Sequence, residues 1–259
     1  MSSVRRAAPA ARGWRGGALT ICAALAFVGS VAGAQQAQRA EEAPRDAAGD
    51  APPARSLPAE GLVALVGGRT PGPGVEQILL SDVERRARIH LAGRAGAETA
   101  ARAPLSAGLL HAAFEELLGE ALIAHEAQRV QIGAATADDL AQARARLEET
   151  AGGAEALATL TRALGVAQAE LDATVQRRAQ VAAFLRANLE GTDAVTEAQI
   201  EAAYASGDHP FIGQTLDEAR EALRVWLAHR AVQHAVERWV KALRARTPVR
   251  IWIDLPPAI

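Results

Sequence analysis

Short apolar runs open and close the stretch from Leu62 to Ile253, and between them apolar residues recur every three or four positions. The opening run "LVALV" (Leu62 to Val66), the turn-rich "GGRTPGPG" and then "VEQILL" predict two short strands joined by a loop. Leu110, Phe114, Leu117, Leu118, Ala121 and Leu122 then fall on one stripe of a long helix ending near Val130, which reads as core packing. Two shorter helices, Thr136 to about Thr150 and Ala154 to Leu164, are split by Gly152-Gly153. A helix from Gln168 to Leu189 turns Leu171, Val175, Ala182, Leu185 and Leu189 inward, and a short one follows from Val195 to Ala205. The longest runs from about Leu216 to Arg246, with Leu223, Trp226, Leu227, Val236, Trp239, Val240 and Leu243 as its apolar side, until Thr247-Pro248 stops it. Finally "VRIWID" alternates, with Val249, Ile251 and Ile253 on one face and Arg250 and Trp252 on the other. A strand this isolated must find its partner far back in the chain, in Leu62 to Val66 or Gln77 to Leu80.

Polar residues punctuate these elements. Ser81 followed by Glu84 reads as a capping box, in which the hydroxyl accepts from a first-turn amide while the carboxylate reaches back. The device recurs at Thr136 with Asp139, Thr196 with Gln199 and Thr215 with Glu218. That recurrence makes Ser81 a helix start rather than a nucleophile, since no histidine stands in a recognisable motif to serve it.

The N-terminus changes the picture of where the chain acts. Four arginines without an acid, the apolar "ALTICAALAFV" and "AGA" at Ala32 to Ala34 read as a signal peptide, residues 1–34, cleaved before Gln35. The apolar run is too short for a bilayer span of about 20 residues. Alanines after Arg5-Arg6 argue against twin-arginine export, and Ile21 before Cys22 against lipidation. Cleavage takes four of the 28 basic residues and none of the 30 acids, leaving 24 against 30, a formal charge of −6. Such a surface disfavours nucleic acid. The one cysteine leaves with the signal, which excludes disulfides, zinc-thiolate sites and a cysteine nucleophile. Residues 35–60, rich in Ala, Pro, Arg and acid, are expected to form a disordered linker.

Candidate chemistry is sparse. His125-Glu126 begins like a zincin helix, but Arg129 occupies the position of the second histidine. His229 and His234 are five apart on a helix, about 140° from each other, a poor geometry for one metal. There is no nucleophile elbow, no glycine-rich loop between strand and helix, and no carboxylate pair distinguishable from ordinary helix-surface acids. The sequence calls for no catalytic residue, no metal and no cofactor.

The opening "LVALVGG…ILLSDVERRARI" resembles the N-terminal domain of SurA-type periplasmic chaperones. So, in the same order, do "AFEELLGEALIAHEAQRVQIGAATADDLAQA", "LTRALGVAQAELDATVQRRAQVAAFL", "VTEAQIEAAYAS" and the closing "FIGQTLDEAREALRVWLAHRAVQHAVERWVKALRARTPVRIWI". The resemblance implies a mainly α fold: one helical module over residues 61–255, with a small sheet made by the N-terminal strands and the C-terminal strand. One departure stands out. Only Ser206 to Thr215 lie where isomerase-bearing members carry a parvulin domain, so prolyl isomerisation is not expected. The turn "GGRTPGPG" is also longer than that family's, which raises the expectation of a distorted or loose first hairpin. The implied function is an exported, ATP-independent holdase for unfolded outer-membrane or secreted proteins, and not an enzyme. The alternative is an envelope scaffold or assembly subunit with one dedicated partner. Expected partners are unfolded client polypeptides, with no stable membrane anchor after signal cleavage. Candidate peptide-binding residues are Phe184, Tyr204, Phe211, Ile212 and Trp252.

Overall fold

Leu62–Val66 forms β1, whose last four residues are fully buried because it is the middle strand of three. The computed structural model describes residues 61–131, 135–253 and 255. The expected signal peptide and linker lie outside the described residues. β2 (Glu76–Leu79) pairs antiparallel with β1 across the Gly67 to Val75 loop, with an irregular register between Leu62 and Ala64. The hairpin is thus paired rather than loose, and it is distorted at that register shift. β3 (Val249–Ile251) pairs antiparallel on the other side of β1, setting Ala64 opposite Ile251 and Val66 opposite Val249. The two ends of the described chain thus meet in one sheet, and of the two strand partners considered for "VRIWI" it is Leu62 to Val66 that is used.

Eight helices lie between β2 and β3 among the described residues: α1 (Leu80–Ala95), α2 (Ala97–Arg102), α3 (Ala107–Val130), α4 (Ala137–Thr150), α5 (Ala154–Ala163), α6 (Gln168–Asn188), α7 (Glu197–Ser206) and α8 (Leu216–Arg246). The protein is mainly helical with a small antiparallel sheet. Three of the four expected capping boxes form, at Thr136, Thr196 and Thr215. Ser81 is the exception. β2 runs straight into α1, so the Leu80 amide donates to the O of Gly61, just ahead of β1, at 2.8 Å, and the Asp82 carboxylate, not Glu84, accepts from the Leu79 amide at 3.1 Å. With the Gly61 carbonyl already taking a first-turn amide, the helix starts one residue before Ser81. α2 was not expected from the pattern; its six residues follow Gly96, whose φ of 84° turns the chain at the end of α1.

Three apolar clusters organise the packing. The largest joins β1, α1, α3, the end of α6 and the second half of α8 through Val63, Val83, Leu118, Leu122, Phe184 and Val236. A second holds α1, α2, α4, α5 and the first half of α6 around Leu147, Leu157 and Leu160. There Gly93 lets α1 approach the end of α4, because a Cβ would stand 2.3 Å from the carbonyl oxygen of Thr150. The third is small: Ile200, Ala219 and Leu223 join α7 to the first half of α8. α8 is therefore shared. Its C-terminal half belongs to the main core, while its N-terminal half and α7 form a helical arm with a separate, minor core.

Candidate functional site

The densest chemistry lies where α1, α3 and α6 meet. On α3, Glu116 and Glu120 are one turn apart and border the apolar stripe of Leu117, Ala113 and Ala121, so both carboxylates enter the interior. Arg86 meets them from α1, with only 3% of its surface exposed. Its Nη1 donates to Glu116 Oε1 at 2.6 Å and to Glu120 Oε1 at 2.9 Å, and its Nη2 donates to Glu120 Oε2 at 2.8 Å. His90, one turn further along α1, bonds Glu116 Oε2 through Nε2 at 2.7 Å. Arg178 of α6 closes the group, with contacts of 3.5 Å to Glu116 and 3.6 Å to Glu120.

Burial opposes the charged form of Glu116. The charge of Arg86, the His90 bond and Arg178 outweigh it and hold the carboxyl down to about 2. Glu120 is lowered likewise against its own burial by Arg86 and Arg178. Burial lowers Arg178, and the like charge of Arg86 adds to that. Carboxylates held ionised in this way are weak bases, and the Arg86 fork occupies three of their four oxygens. The group locks three helices together and is poorly suited to moving protons. In the sequence these acids read as ordinary helix-surface positions. A signal existed: Val83, Arg86, Ala87 and His90 fall at helical spacing on one stripe, which places an arginine where the core begins.

Beside the group, a cavity of about 670 Å³ separates α1 from α6. Ile89 and Leu117 line it with Arg85 and Arg177, and Arg85 spans to Glu170 at 2.9 Å.

The five candidate peptide-binding residues do not form one site. Phe184 is 2% exposed, in the main core, where its ring stacks on Trp239 at 5.1 Å between centroids. Its side chain cannot meet a partner at the surface, because the inward stripe of α6 includes it along with Leu185 and Val181. Tyr204, Phe211 and Ile212 sit together on the arm. Tyr204 stacks on His209 and His209 on Phe211, with centroids 5.3 Å and 6.2 Å apart, while the Tyr204 hydroxyl donates to Gln214 O at 2.7 Å. These contacts hold the turn between α7 and α8 so that Ile212 projects outward, 85% exposed. Val225, 59% exposed, lies about 200° around α8 from the buried Leu223 and so faces away from α7. Trp252, 43% exposed, follows β3 and pairs its amide with Val63 of β1, at the sheet and away from the arm.

No protein-family model, curated protein or solved structure matches this chain.

Two histidines serve as braces. His111 Nδ1 donates to Leu255 O at 2.6 Å, tying the chain after β3 to α3, and His125 Nδ1 donates to Gly74 O at 3.0 Å, holding the hairpin loop. Arg129, where a zincin would place its second histidine, instead donates to Glu126 at 2.8 Å, and Arg246 of α8 joins the same carboxylate at 2.5 Å. Among the described residues no helix is long and apolar enough to cross a membrane.

Proposed function

We propose that the protein is an exported, ATP-independent holdase that binds unfolded outer-membrane or secreted chains in the periplasm, without prolyl isomerase activity. The resemblance to the N-terminal domain of SurA-type chaperones, quoted above, motivates the reading. The observation that carries it is the arm: α7 and the first half of α8 stand on the small buried core of Ile200, Ala219 and Leu223, and present Ile212 beside the half-buried Tyr204 and Phe211, with Val225 exposed on the face turned away from α7. Apolar groups presented in this way have affinity for exposed apolar segments of unfolded chains, and binding those states competes with their aggregation. Stacking of His209 between Tyr204 and Phe211 fixes the turn that carries Ile212.

The test is aggregation suppression with several unrelated denatured proteins at near-stoichiometric ratio. All should be protected, and Ile212→Asp with Val225→Asp should weaken protection about tenfold, as expected from losing burial of one or two large aliphatic side chains. Protection of none of them removes the holdase reading and leaves the dedicated scaffold.

A further inference from the structure

β3 is an edge strand, and its free side is legible from the hydrogen bonds it makes on the other. The Trp252 amide donates to Val63 O at 2.9 Å and the Gly67 amide donates to Pro248 O at 2.9 Å, with Arg250 opposite Leu65 between them. In an antiparallel ladder alternate residues turn their backbone groups to the partner strand. Pro248, Arg250 and Trp252 therefore face β1, while Val249 and Ile251 aim their N–H and C=O groups away from the sheet. Among the described strands β1 alone pairs with β3, which leaves that side as an open edge.

The surroundings of this edge are chemically distinctive. Ile251 is 40% exposed beside Trp252, and the Arg250 guanidinium lies over the Trp252 ring at 4.6 Å. Arg69, from the hairpin loop, shares with Arg250 a cleft of about 480 Å³ along Pro248 and Val249. Neither guanidinium is paired with a carboxylate among the described residues. A single charge on an edge strand is an ordinary guard against self-association. Two guanidinia without a carboxylate partner among the described residues, beside backbone groups that no described strand pairs, are also complementary to a strand that carries acids.

We propose that β3 accepts an extended segment of another polypeptide as a fourth strand, and that the preferred segment places Asp or Glu against Arg69 and Arg250 and an apolar residue against Ile251. This deepens the holdase reading by naming where a client docks and what it carries. Backbone pairing is indifferent to side chains, which suits varied clients, while the two arginines bias the choice.

The experiment uses the full mature chain and a fluorescein-labelled peptide alternating valine and glutamate, read by anisotropy. The same peptide with lysine for glutamate, and one N-methylated on alternate residues, serve as controls. The acidic peptide should bind about tenfold or more tighter than the lysine version, and N-methylation should abolish binding. Ile251→Pro removes an outward N–H and leaves the ladder to β1 intact, so it should weaken binding comparably while thermal unfolding stays cooperative. Arg69→Glu with Arg250→Glu should invert the preference towards lysine. Equal binding of the two peptides, or undiminished binding by folded Ile251→Pro, overturns the proposal. So does a dimer abolished by Ile251→Pro with no peptide binding, which would assign the edge to a second copy. Aggregation suppression by the parent without peptide binding overturns the edge assignment and leaves the holdase reading standing. Peptide binding without aggregation suppression supports the edge and removes that reading.

Discussion

Replacing Arg86 with methionine would test the buried charge group most directly. The substitution nearly preserves volume but removes a fork of three charge-assisted bonds, of 2.6, 2.9 and 2.8 Å, from two carboxylates whose side chains are 3–4% exposed. Breaking one partner out of such a group costs about 3–5 kcal/mol, because the remaining charges stay buried. The pH dependence identifies the cause. In the parent, Glu116 sits at about 2 in the folded state against an ordinary 4.5, so its contribution is complete above about pH 4.5 and is lost as pH falls towards 2. In Arg86→Met, burial is opposed only by His90 and Arg178, and the carboxyls move up. The folded variant then binds protons that its unfolded state releases, so its deficit is largest near neutral pH and shrinks on acidification. Urea unfolding followed by far-UV circular dichroism across that range measures both effects. Adding Glu116→Gln and Glu120→Gln to Arg86→Met should recover part of the neutral-pH loss. A deficit below about 1 kcal/mol, or one that does not change with pH, would refute a desolvated, Arg86-dependent group.

Two further outcomes follow from the packing. Truncation after Thr247 removes β3 and the buried Leu255, bares the edge of β1 at Leu65, and should cost several kcal/mol in thermal unfolding; a truncated chain as stable as the parent would show that the closure contributes nothing. Leu223→Ala should cost about 2–5 kcal/mol, confined to the arm, so that proteolysis and amide exchange rise in α7 while α3 stays protected. Equal loss of protection in both helices would mean that the arm is not a separate unit.

The elements themselves were legible because their signals are local. The three Thr caps, the Gly152-Gly153 break, the stop at Thr247-Pro248 and the inward stripe of α6 each depend on residues within a few positions of one another. Ser81 misleads because its cue is local, whereas the amide of Leu80 is taken by Gly61, far back in the chain just ahead of β1. α2 escaped because six residues are too few to show a period.

Sequence by itself determined the helical class and most of the longer helices, and its alternation at Val249 to Ile253 required a strand with a distant partner. Tertiary structure alone decided that β1 lies in the middle, with β3 on an open edge. It also sorted the candidate residues: Phe184 into the core, Tyr204, Phe211 and Ile212 onto the arm, Trp252 to the sheet. The buried group of Arg86, Glu116, Glu120 and Arg178 belongs to the same class of fact. Each is a charged residue at the border of the apolar stripe of its own helix, where the local pattern does not decide between surface and interior. They become interior only because α1, α3 and α6 converge on one point, where a buried charge is stable only if its opposite arrives from another helix.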